Sequence, residues 1–132
     1  MGQQQLLLLV LSAIIVGTSI VVGINMFSAS AYQANREAVL EDAVTIATKA
    51  QEWFRKPALL DGGGRSFQNI ELVKLGFPAT NANGTYTLGS ITDTTVTVTA
   101  TGQEDGDGDS VPFGFTMLVT PNSVGNPANI ED

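Results

Sequence analysis

Apolar and polar positions divide this chain into three unlike stretches. Leu6 to Ile24 reads LLLLVLSAIIVGTSIVVGI, nineteen residues that are almost wholly apolar. A surface helix of a soluble protein keeps one polar face, and this stretch has none. It must be surrounded by lipid or by protein on every side. Roughly 20 helical residues span a hydrocarbon core, so its length reaches that of a transmembrane helix. Each buried Leu, Ile or Val contributes about 1.5–3 kcal/mol, so the segment is driven out of water by tens of kcal/mol. The pattern stays compatible with helix through Met26, Phe27, Ser28 and Ala29.

From Arg36 to Phe54 the pattern becomes one-sided. Val39, Ala43, Ile46, Ala47, Ala50, Trp53 and Phe54 recur at helical spacing, with Leu40 and Val44 alongside. Arg36, Glu37, Glu41, Asp42, Lys49, Glu52, Arg55 and Lys56 supply the charge around them. Pro57 cannot continue the hydrogen-bond ladder, so the helix should stop near Lys56. A single rod of about 55 residues would be roughly 80 Å long. Its first half, residues 1–27, is lipophilic all round. Its second half, 28–56, needs a partner, namely the domain that follows at 57–132.

In that domain the period changes. Asp61-Gly62-Gly63-Gly64 reads as a flexible loop. Ile70 to Leu75 fits either a helical turn or a strand. Gly76, Pro78, Asn81, Asn83 and Gly84 mark turns. Three strands are expected. Thr85 to Leu88 is short. Thr94 to Thr101, TTVTVTAT, alternates strictly and is rich in β-branched residues. Phe113 to Thr120 places Phe113, Phe115, Met117 and Val119 on one face. Gly102 to Pro112 is the connection between the last two. The tail from Pro121 has no periodicity and is expected to be extended or loop-like. The expected fold class is α+β: a long helix packed on a small antiparallel sheet.

Charge sharpens this division. The 132 residues suit one modest domain. No charged residue precedes Arg36, the next stretch to Leu75 is balanced, and after Leu75 there are acidic residues only. The net charge of −7 therefore lies wholly in the last part of the chain. A segment without Lys or Arg cannot neutralise phosphates, which argues against nucleic-acid binding and against attraction to an anionic membrane surface. There is no Cys, so there are no disulfides, and no His, which removes the commonest general base.

Two ordinary readings of the apolar segment fit poorly. A cleaved secretory signal needs a basic start and a small-residue exit, and neither flanks Leu6–Ile24. A signal anchor carries flanking Lys or Arg, and here the first is Arg36. The absence of basic residues suggests that a leader has been removed and that Met1 is the mature N-terminus.

A charge-free apolar helix running into an amphipathic half and then a small antiparallel sheet resembles the bacterial type IV pilin family, in architecture over the whole chain and in sequence over Met1 to Phe27. The resemblance implies several things. Met1 would be exposed by prepilin peptidase and N-methylated. The family commonly has Glu at the fifth mature position; here it is Gln5, whose carbonyl still accepts a hydrogen bond from a neighbouring N-terminus but carries no charge. Cleavage after Gly2, making Gln3 the first residue, would put Leu7 there, a worse match. Many members carry a helix-breaking proline in the apolar half, and this chain has Gly17 and Gly23 there instead, with Thr18 and Ser19 between them. Interior glycines cost about 1 kcal/mol each relative to Ala, and the stretch between them is expected to extend or melt on assembly. The plainer reading is that these glycines allow close helix packing.

The implied function is structural, not enzymatic. Subunits would wait in the inner membrane, be extracted by an ATP-driven assembly machine, and join identical copies in a helical homopolymer on the cell surface, serving adhesion, motility or DNA uptake. A secretion-system pseudopilin and a monomeric single-pass protein with a ligand-binding β domain are the alternatives.

Smaller motifs have plain readings beside sharper ones. Asp105, Asp107 and Asp109 alternate in QEDGDGDS as in the first half of a calcium loop, yet no bidentate Glu follows at the needed distance, and Asp-Gly pairs favour a solvated turn. No other cofactor is expected. Asn83-Gly84-Thr85 matches a glycosylation sequon and equally a turn. Phe27, Tyr32, Trp53 and Phe54 at helical spacing read as core or interface residues rather than electron carriers. Glu104 with Asp105 and Asp107 lacks the apolar wall that would tune a catalytic carboxylate pair.

Overall fold

The computed structural model describes residues 2–106 and 108–130. One continuous helix, α1 (Gly2–Arg55), leads into a four-stranded antiparallel sheet in the order β1 (Thr85–Gly89), β2 (Val96–Thr101), β3 (Gly114–Val119), β4 (Ala128–Ile130). This is the expected α+β architecture. At 1.5 Å per residue the helix is about 80 Å long. Its end falls two residues before Pro57, where the ladder must stop.

The sheet lies on the second half of the helix. Val39, Ala43, Ile46, Ala47, Ala50 and Trp53 are buried on α1. They meet Val96, Val98 and Ala100 of β2 and Phe115, Met117 and Val119 of β3, all buried. Alternation puts Thr97, Thr99 and Thr101 on the opposite, half-buried face, as a period of two requires. The small side chains of Ala43, Ala47 and Ala50 let the sheet approach the helix axis closely. Phe67, Ile70, Leu75 and Tyr86 close the core from the loops and from β1.

Three local features depart from the sequence reading. The Asp61–Gly64 segment, expected to be a flexible loop, is built as a helix cap. The N–H groups of Gly63, Arg65 and Gly64 donate to the carbonyls of Trp53, Phe54 and Lys56 at 2.8, 2.8 and 3.0 Å. Trp53 O also accepts the Lys56 N–H at 3.2 Å, and carbonyls of a last turn lack their usual partner four residues on. Thr94 and Thr95 do not join β2, because the Thr92 hydroxyl accepts their N–H groups in a turn. The tail contains β4, which pairs with β3 through Gly114↔Ile130, Phe115↔Asn129 and Thr116↔Ala128. All three β4 residues are exposed, so the strand is held by backbone pairing and leaves no alternating signature.

Ile70–Leu75 resolves as a turn. Phe77 N–H donates to Leu72 and Gly76 N–H to Val73, both at 3.1 Å, with Gly76 at φ 70°. This is a Schellman arrangement, and the left-handed conformation at its end is why Gly stands at that position.

Candidate functional site

The surface that asks for a partner is the first half of α1. Every large apolar side chain from Leu6 to Phe27 is exposed, between 53% and 76%. The helix is long and apolar enough to cross a membrane, and its most apolar window is not buried by the rest of the chain. Three hydroxyls on it are turned inward on the backbone. Ser12, Thr18 and Ser19 hydroxyls donate to the carbonyls of Leu8, Ile14 and Ile15 at 2.8, 3.0 and 2.8 Å. Such back-bonding spends the hydroxyl donors within the helix, as an apolar environment demands. Gln5 is exposed near the helix start. Gly17 and Gly23 are both within continuous α-helix in the single subunit. Met1 falls outside the described residues.

The second half of α1 holds the domain with polar clasps as well as apolar packing. Asp42 Oδ2 accepts three hydrogen bonds, from Asn81 Nδ2 and Asn83 Nδ2 at 2.9 Å each and from Tyr86 Oη at 2.6 Å. Asn81 Oδ1 in turn accepts the N–H groups of Asn83 and Gly84. Burial pushes the Asp42 carboxyl up, but the bonds from Asn83, Tyr86 and Asn81 together outweigh it and hold it below the ordinary 3.8. Burial, then the hydrogen bond and charge of Asp42, raise the Tyr86 phenol well above its ordinary 10. The nitrogen of the sequon residue Asn83 is thus engaged with a carboxylate.

Two turns toward the N-terminus, Asn35 makes the matching clasp. Its Nδ2 donates to Asn83 O at 2.8 Å, and its Oδ1 accepts the N–H groups of Gln103 and Glu104 at 2.9 and 3.3 Å. The β2–β3 loop is therefore pinned to the helix. Gly106 lies so close to Tyr32 that a Cβ there would fall 2.4 Å from the ring. Near the far end, Gln51 Nε2 donates to Thr120 O and Arg55 Nη2 to Pro121 O, at 2.9 and 2.6 Å.

In the acidic loop, Asp105 accepts N–H groups from Gly108 and Ser110 at 2.8 and 2.6 Å, and Asp109 accepts that of Val111 at 2.7 Å. These carboxylates shape the loop itself. Asp107 falls outside the described residues, and among those described no group of three metal-ligating side chains gathers.

Of the helix aromatics, Trp53 is buried, with Nε1 donating to Asp61 O at 3.1 Å. Tyr32 packs edge-on to Phe113 and Phe54 against Phe67, while Phe27 is exposed. The sequence reading counted Asp42 among the solvated charges and gave Asn35 no role. A readable signal was present: Asn35 and Asp42 stand seven residues apart, two turns along one edge of the buried Val39–Ala43 stripe.

No protein-family model, no curated protein and no solved structure matches this chain. The fold and its uncovered surface define a class: an α+β protein whose N-terminal helix is a candidate membrane anchor.

Proposed function

We propose that this chain is the structural subunit of a type IV pilus. It resides in the inner membrane through Leu6–Ile24, is drawn out by the pilus assembly machinery after prepilin peptidase processing, and polymerises with identical copies into an extracellular filament. The filament serves adhesion, motility or DNA uptake through partners that act on the whole fibre.

The observation that carries this reading is the contrast within one unbroken helix: the domain covers its second half, and its first half is apolar on all sides and covered by none of the described residues. A lipid bilayer covers such a surface, and so do sister helices. Exchange between the two costs little, because neighbouring helices are about as apolar as lipid. Charge is absent before Arg36, as both environments require. The melting of Gly17–Gly23 belongs to the assembled state under this reading.

The test is electron microscopy of the material sheared from producing cells, with the chain identified by antibody. Thin surface filaments decorated along their length support the proposal. A chain that stays with the membrane fraction and runs as a monomer in detergent is a single-pass protein instead, and short membrane-bound fibres without surface filaments mark a pseudopilin.

A further inference from the structure

Resting on the filament reading, we propose that copies of this chain are placed in axial register by an ionic head-to-tail contact. The basic end of one subunit, around Arg55 and Arg65, receives the acidic β2–β3 loop of the next.

The apolar half of α1 is unsuited to setting register. It has no charged residue and no polar face, and its hydroxyls are occupied by its own backbone. Beyond the uncharged Gln5 amide at its start, one copy can slide along another at little cost. A fixed stagger must come from the domain, where charge is segregated along the helix axis. Five of the six cations, Lys49, Arg55, Lys56, Arg65 and Lys74, belong to the helix end and the segments folded on it. Glu52, Asp61 and Glu71 offset only part of them.

Two of these cations donate to carbonyls and not to carboxylates: Arg55 to Pro121 O at 2.6 Å and Lys74 to Asn69 O at 2.8 Å. Their charge is oriented without being cancelled. Arg55 and Arg65 line one surface cavity of about 480 Å³ with Phe54, Pro121 and Asn122. Lys49, Lys56 and Lys74 line a second, beside Glu52.

Glu104, Asp105 and Asp109 belong to a loop held at the other level, by Asn35 and against Tyr32. The sixth cation, Arg36, lies on the helix beside that clasp. From the level of Tyr32–Asn35 to that of Lys49–Lys56 is about 30 Å along the axis. Charges so far apart are screened from each other at cellular ionic strength, where the Debye length is about 8 Å. Within one subunit the two ends cannot neutralise each other. Between parallel copies staggered by about that 30 Å they meet directly. Opposite charges across such a contact fix register and reject wrong staggers more than they add affinity.

The experiment uses two full-length variants with reversed ends, Arg55→Glu/Arg65→Glu and Glu104→Lys/Asp105→Lys/Asp109→Lys, the third loop substitution being needed because Asp107 keeps its negative charge. Each alone presents like charges at every contact and is expected to lower the yield of sheared filaments at least tenfold. Expressed together, the two variants bring opposite charges together wherever one contacts the other. Filament yield is expected to recover to at least half that of wild type, with both chains in the same fibres. Recovery shows that both variants fold. If either variant alone assembles at the wild-type yield, the ionic contact is refuted. It is refuted equally if the two together yield no more than each separately while Trp53 fluorescence reports a folded domain in both. A wild-type chain that forms no filaments under any salt condition sinks the filament reading itself, and this inference with it.

Discussion

The two halves of α1 share one backbone and reach opposite outcomes. In Val39–Trp53 moderate hydrophobicity, much of it supplied by Ala43, Ala47 and Ala50, is fully buried. In Leu6–Phe27 the strongest hydrophobicity in the chain is exposed, each large side chain by more than half. Burial is therefore set by whether the same chain supplies a partner, and not by how apolar a segment is. The packed half carries its clasps on the edges of its apolar stripe, at Asn35, Asp42 and Gln51, because those edges face a polar loop or a strand end. The bare half has no edge, since no direction around it differs from another. A helix with an edge has a fixed partner, and one without an edge can change partners.

The sharpest way to break this comparison is to damage each half and ask whether the other notices. Phe115→Ala empties the core beneath the packed half and should cost about 3–5 kcal/mol of domain stability. Denaturant unfolding followed through Trp53, the only tryptophan, measures it. Ile14→Asp acts on the other half. It should disfavour residence among lipid or sister helices by about 2.5–3.5 kcal/mol. Surface filaments should vanish while the Trp53 unfolding midpoint stays at its wild-type value. A shift of that midpoint would show that the halves are energetically coupled.

Asp42→Ala removes the acceptor of three hydrogen bonds and should cost about 1–3 kcal/mol. The clasp also gives the domain a pH signature. The folded carboxyl titrates below its unfolded value. Its contribution is thus complete above about pH 4 and is lost as pH falls through the lower, folded value. Asp42→Asn should flatten that acid limb of the stability curve without moving filament assembly at neutral pH. The smallest effect belongs to Gly17→Ala and Gly23→Ala. Each should stabilise the bare half as helix by about 1 kcal/mol. If that stretch extends on assembly, filament yield should fall modestly while the domain is unchanged.

Much of the fold was legible because strong periodicity records burial. The 3.6-residue spacing of Val39 to Trp53, the alternation of Val96 to Thr101 and the stop at Pro57 each reflect a physical constraint that acts locally. What was not legible was held by backbone or by single polar contacts. β4 pairs through its main chain and buries none of its side chains in the core. The Asp61–Gly64 cap packs its backbone so tightly that a Cβ at Gly62 or Gly63 would collide with Lys56 O or Ser66 O, a steric need that reads in the sequence as looseness. Asp42 looks like any helix carboxylate until the loop carrying Asn81 and Asn83 folds against it. The exposed helix was the clearest feature in the sequence, since its pattern implies that every direction needs an apolar neighbour, though not which one.

What covers that surface can be asked directly. A photoreactive benzoylphenylalanine placed in turn at Leu9, Val16 and Val22 of the full chain, and irradiated in the sheared surface fraction, captures whatever lies against each position. The account predicts adducts of twice the subunit mass at all three, linking the apolar segments of two copies. Adducts to lipid alone at every position, in surface and membrane fractions alike, would contradict it.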